Sequence, residues 1–232
     1  MHRSNHRESH FVGVVAALAI VITSVVSTTA QDKPKSGLVV DAAAKRITID
    51  CVVAPRKLEN LNEIYPIEVV ATHPAPKGKK AHETVVTFDV PPSQVHQALI
   101  GLGLKPGTPA KGEGAKAAGP EVKVSLEVPG PGGLAKKVAI EKVLVDRKTG
   151  KPLPPLKWFF TGSVMTQPDP NKPDKVFGAD LSGTLIALFP VTDETVLQTN
   201  LTMKDEPLIK LETAKDVLPA VGMPIKLVIE AK

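Results

Sequence analysis

Short β-branched runs recur along this chain between 22 prolines and 17 glycines, and that punctuation constrains the fold more than any other feature. Proline removes a backbone donor and glycine weakens regular structure, so segments bounded this closely read as strands joined by turns. Arg46 to Val53 alternates, with Ile47, Ile49, Cys51 and Val53 on one side, the period-two pattern of a half-buried strand. Tyr65 to Thr72 and Glu83 to Val90 read as further strands, separated by a turn over Pro74 to Lys80. Glu121 to Val128 and Lys136 to Asp146 flank Pro129-Gly130-Pro131-Gly132-Gly133 and predict two neighbouring antiparallel strands. Val176 to Asp180 and Thr184 to Phe189 around Leu181-Ser182-Gly183 predict a hairpin, and Pro224 to Ile229 a last strand.

The period changes once. After Pro91-Pro92-Ser93, apolar residues recur at Val95, Ala98, Leu99 and Leu102, which predicts an amphipathic helix over about 93–103, with Ser93 as N-cap and Gly103 as stop. Thr108 to Pro120 has no large apolar residue and reads as a mobile surface loop. Leu156 to Ser163 holds the only tryptophan and two of six phenylalanines, and is expected at the centre of the core. Together these readings predict a single α+β domain over 37–232, strand-dominated, on a mostly antiparallel sheet with one short helix.

Ahead of that domain, Arg3 and Arg7 precede an uncharged run from Phe11 to Val26, which ends in Ser27-Thr28-Thr29-Ala30. This is the charge, apolar core and small-residue cut of a signal peptide, with cleavage expected after Ala30 and a polar tether over 31–36. A membrane anchor needs roughly 20 apolar residues, more than this run offers. The mature protein is therefore expected to be exported, periplasmic or extracellular, and soluble, with no permanent membrane span.

Charge and cysteine content narrow the partners. The formal charge is +5, and +4 without the first thirty residues; the lysines are scattered and only 3% of residues are aromatic. A nucleic-acid binder needs a basic groove with stacking platforms, so nucleic acid is not an expected partner. Cys51 is the only cysteine, which rules out an internal disulfide and a thiolate cluster built from this chain alone. In an alternating strand it is expected as a small buried apolar residue.

No phosphate-binding loop, dinucleotide fingerprint or nucleophile elbow occurs. His82-Glu83 opens like a zinc-protease motif, but Val86 stands where the second histidine belongs. His73, His82, Glu83 and His96 fall within 24 residues and could supply nitrogen and oxygen ligands to a metal, or a base with its orienting partner. Adjacent strand residues face opposite ways, so His82 and Glu83 share a site only at a strand end or bulge. Each histidine reads more readily as a boundary residue with a satisfied ring than as a ligand or base. Ser163 has no neighbouring base in sequence.

Three segments carry a family likeness: Ala81-His82-Glu83-Thr84-Val85-Val86, Val95-His96-Gln97-Ala98-Leu99-Ile100-Gly101-Leu102-Gly103, and Trp158-Phe159-Phe160-Thr161-Gly162-Ser163. They resemble the YdjY-domain family of bacterial exported proteins over roughly residues 37 to 200. That family is of unknown function, so the resemblance implies a domain rather than an activity. Some relatives carry a ferredoxin-like label, which a chain with Cys51 alone cannot satisfy, and an iron–sulfur cluster is rejected. No other cofactor is indicated. The leading expectation is an envelope domain, binding or structural, that takes an unidentified small ligand or envelope partner near His82, Glu83, His96 and Ser163. The alternative is a metal-assisted hydrolase using His82, Glu83 and His96, with Glu83 as general base.

Overall fold

A computed structural model describes residues 37–58 and 63–232, with Met1. The export signal expected over 1–30 and the tether over 31–36 lie outside the described residues. Among the described residues the strands are β1 (Leu38–Asp41), β2 (Arg46–Val53), β3 (Val69–Thr72), β4 (Thr84–Thr87), β5 (Glu121–Pro129), β6 (Ala135–Ala139), β7 (Leu144–Asp146), β8 (Trp158–Phe160), β9 (Met165–Thr166), β10 (Val176–Phe177), β11 (Thr184–Ala187), β12 (Leu197–Thr199), β13 (Leu211–Thr213) and β14 (Pro224–Ala231). The helices are α1 (Pro92–Gly101), α2 (Ile140–Val143) and α3 (Gly178–Ser182).

Eight strands close into a barrel in the order β2, β14, β5, β8, β12, β11, β3, β4 and back to β2. The closing pair is short, Val52 opposite Thr87 and Val53 opposite Val86. Two strands lie outside the ring. β1 takes the edge of β2 along Arg46–Ile49, ahead of the β4 contact, and β6 takes the edge of β5 along Ser125–Pro129, beyond the β8 contact at Glu121 and Val122. Each long strand thus serves the barrel at one end and a side strand at the other.

The expected α+β domain on a mostly antiparallel sheet with one helix is corrected here: most pairings are antiparallel, but the architecture is a β-barrel. The sheet closes on itself, β11–β12 and β3–β4 pair in parallel, and three short helices stand where one was expected. Closure abolishes the sheet edges that an open arrangement would leave exposed. Burial explains where the parallel pairs sit: β3, β4, β11 and β12 are buried at every position, whereas β2 alternates. Parallel pairing needs crossover connections that cover the sheet, so it occurs in the wall buried on both faces.

Local readings divide accordingly. The β5–β6 pair and the terminal strand are present, and β14 lies between β2 and β5, with Leu227 opposite both Ile49 and Leu126. The hairpin expected around Leu181-Ser182-Gly183 does not form. Instead α3 runs through Gly178–Ser182 and ends at Gly183, whose φ of 73° provides a left-handed cap, and β11 then pairs with β3 and β12. The Thr108–Pro120 loop is tied down by an amide rather than an apolar anchor. Gln198 accepts from Ala110 N at 2.7 Å and donates to Ala110 O at 2.8 Å, burying Ala110.

The core fills the barrel from all sides. Ile47, Ile49, Leu126, Phe160, Leu185 and Leu227 are fully enclosed, and Trp158 joins them with its indole N–H donating to Glu141 at 2.8 Å. Helix α1 lays Val95 and Leu99 against this core. Its N-terminus is capped from a distance. Pro91, not the expected Ser93, occupies the N-cap position; Ser93 lies inside the first turn, and its N–H donates to Asp180 Oδ1 of α3 at 2.8 Å.

Candidate functional site

The polar residues singled out in the sequence fall in two places. His82 and Glu83 lie in a single 3₁₀ turn, Ala81–Glu83, immediately before β4. That turn breaks the strand alternation, so the two side chains meet: His82 Nε2 is 3.2 Å from Glu83 Oε1. The other Glu83 oxygen accepts from Lys80 Nζ at 2.5 Å, and Lys80 also reaches Glu68 at 2.6 Å. Burial works against the Lys80 charge, but the two carboxylate hydrogen bonds and their charges outweigh it and raise the lysine pKa. The Tyr65 ring meets His82 edge-on at 5.3 Å. Every carboxylate oxygen of Glu83 is engaged, which makes this cluster an internal tie between the starts of β3 and β4.

His96 and Ser163 belong to the contact between α1 and α3. The His96 ring packs at 5.2 Å from Phe160 and 5.0 Å from Phe177, and desolvation by these neighbours lowers its pKa, favouring neutral imidazole. Gly162 permits this approach: a Cβ there would lie 2.7 Å from Pro106 Cβ and 3.4 Å from His96 Nε2, and its φ of 66° suits glycine. Ser163 Oγ accepts from Ala179 N at 2.9 Å, in the first turn of α3. The His82–Glu83 pair and His96 therefore have different surroundings. Among the described residues no group of three or more His, Cys, Asp or Glu has the arrangement to hold a metal ion.

His73 is buried, with 1% of its surface exposed. Its Nδ1–H donates to the Phe88 carbonyl at 2.8 Å, the ring stacks on Phe88 at 4.9 Å, and Nε2 has no partner. Desolvation lowers its pKa, with Lys77 in the same sense and Phe88, Asp89 and Asp180 opposing. Cys51 is also interior. Burial drives its thiol up to about 12, so it is a packing residue and not a nucleophile.

Sequence reasoning missed a groove of about 1100 Å³ at one mouth of the barrel. Four strand ends build it. β2 contributes Cys51 and Val52 near its end, β5 ends with Val128 and Pro129, and β4 runs on into Phe88 through Pro91, while β14 begins with Pro224 and Ile225. Its polar rim consists of Asp50, Thr87, Asp89, Gln94, Glu127 and Lys226. The signal that points to it is proline beside strand ends: Pro129 closes β5, Pro224 opens β14 and Pro91 precedes α1, so three residues without a backbone donor stand in its lining. Barrel mouths of this kind are common ligand sites.

A closed, mixed β-barrel with a groove at its mouth defines the class of this molecule. The chain belongs to the YdjY domain family, whose family model matches residues 38–230. That family is of uncharacterised function. No curated protein and no solved structure matches the chain. Among the described residues no helix is long and apolar enough to cross a membrane.

Proposed function

We propose that this protein is an exported, non-catalytic binding domain that takes its ligand in the groove at the barrel mouth. The groove itself carries the reading: about 1100 Å³, floored by Val52, Phe88, Val90 and Ile225 and rimmed by a few polar groups. That mix of apolar floor and sparse polar rim is the general composition of binding sites. The engaged polar residues favour binding over catalysis. Glu83 has both oxygens occupied, Ser163 is held by the first turn of α3, and His96 is flanked by Phe160 and Phe177. In this reading His82, Glu83, His96 and Ser163 support the domain that presents the groove. The charged start, apolar run and small-residue end of residues 1–30 support export.

The test uses Nile red, a neutral dye that brightens in apolar surroundings. Wild-type protein is expected to bind it saturably. Val52→Trp, placed at a 38% exposed position in the groove, is expected to abolish that binding while leaving the thermal midpoint within a few degrees. Absence of saturable binding to the wild type, or unchanged binding to Val52→Trp, overturns the groove reading. Export is checked separately: the N-terminal residue of protein recovered outside the cytoplasm of a bacterial host is expected to be Gln31.

A further inference from the structure

We infer that the occupant of the groove is an extended peptide segment carrying basic side chains; this rests on the groove being the binding site. Charge, size and wall chemistry point the same way.

The chain as a whole is basic, at +5, yet the rim of this groove is acidic, with Asp50, Asp89 and Glu127 facing a single cation, Lys226. That cation is already committed, since Lys226 Nζ donates to Asp50 Oδ1 at 2.7 Å. Glu127 stands opposite Lys226 on β14 and opposite Lys137 on β6, but Lys137 is drawn to Glu230 at 2.5 Å. Glu127 and Asp89 therefore have no ion-pair partner among the described residues. Two uncompensated carboxylates beside apolar floor residues complement an ammonium or guanidinium group on an otherwise apolar ligand, and disfavour an anion.

Size separates a chain segment from a compact molecule. Small-molecule pockets run to roughly 300–1,000 Å³ and enclose most of their ligand. At about 1100 Å³ this groove is at the top of that range and only partly enclosed, lined by the ends of β2, β14 and β5 and the segment joining β4 to α1. In an extended peptide alternate side chains point to opposite sides, so one set lies against Val52, the exposed apolar residue of the lining, while the other reaches Asp89 and Glu127. Pro91, Pro129 and Pro224 stiffen the walls, which lowers the ordering cost of binding.

The test displaces Nile red from the purified protein with capped hexapeptides of alternating valine and lysine, valine and serine, or valine and glutamate. The lysine peptide is expected to displace the dye at about a ten-fold lower concentration than the glutamate peptide at low salt, with the serine peptide between. The Asp89→Asn/Glu127→Gln double variant is expected to bring the three within about two-fold of one another, and added salt to narrow the spread in the wild type. Displacement without charge preference overturns the basic-peptide inference and leaves the groove reading standing. A preference that persists in the double variant also overturns it, since the rim would then not be its source. A dye that never binds overturns both.

Discussion

His73 and His96 are the titratable residues whose burial makes a pH prediction. Both have pKa values lowered from the usual histidine value by desolvation. The unfolded chain then binds more protons than the folded one below about pH 6.5, so stability is complete above that value and falls as the pH drops toward the depressed folded pKa. Each such histidine contributes at most about 1.4 kcal/mol per pH unit to that slope. His73 is the stronger case, because protonation would place a charge on a buried Nε2 that has no partner. Thermal midpoints measured between pH 7.5 and 5 are expected to fall in the wild type. The fall should be shallower in His73→Gln, which keeps an N–H for the Phe88 carbonyl, and an equal slope in both proteins would exclude His73 as its source. Cys51 contributes nothing to this dependence, since its thiol lies far above the range.

At the scale of elements, two polar side chains stitch distant segments together. Asp180 accepts the Ser93 N–H at the head of α1, and Ser163 accepts the Ala179 N–H at the head of α3, so each helix is capped by a residue far away in the chain. A lost cap costs about 0.5–2 kcal/mol. Asp180→Ala is expected to destabilise by that amount and to raise amide exchange in the first turn of α1, while β14 exchanges unchanged; uniform loss across the molecule would contradict a local capping role. The helix itself was legible, because Val95, Ala98, Leu99 and Leu102 share one face. Its cap was not, since the natural reading of Pro-Ser at a helix start is a local serine and the actual acceptor arrives from 87 residues on. The hairpin expected around Gly183 failed for a related reason: a glycine between two β-branched runs reads the same whether it turns a hairpin or ends a helix.

For the whole molecule, stability concentrates on the wall where β14 is paired on both edges. Leu227 is fully buried there, opposite Ile49 and Leu126, and Leu227→Ala is expected to cost about 2–5 kcal/mol. Val39, on the outer strand β1, is 62% exposed, and Val39→Thr is expected to stay within about 0.5 kcal/mol of wild type. Denaturant midpoints of the two variants check the contrast, and comparable losses would place β1 inside the cooperative core. The same architecture separates what could be read from what could not. The strand segments Arg46–Val53, Glu121–Val128 and Pro224–Ile229, the amphipathic α1 and the aromatic core run were determined by the sequence alone, because alternation and helical period are local properties of neighbouring side chains. The sequence allows His82 and Glu83 to share a site only at a strand end or bulge, and the turn Ala81–Glu83 is what brings them together. Closure of the barrel through Val52–Thr87 and Val53–Val86, the parallel β3–β4 and β11–β12 pairs, and the groove assembled from Asp89, Glu127 and Lys226 were decided only by the tertiary structure. A strand's pattern says which face is buried, but its two edges carry no mark of their partners, and those pairings between distant segments create the site.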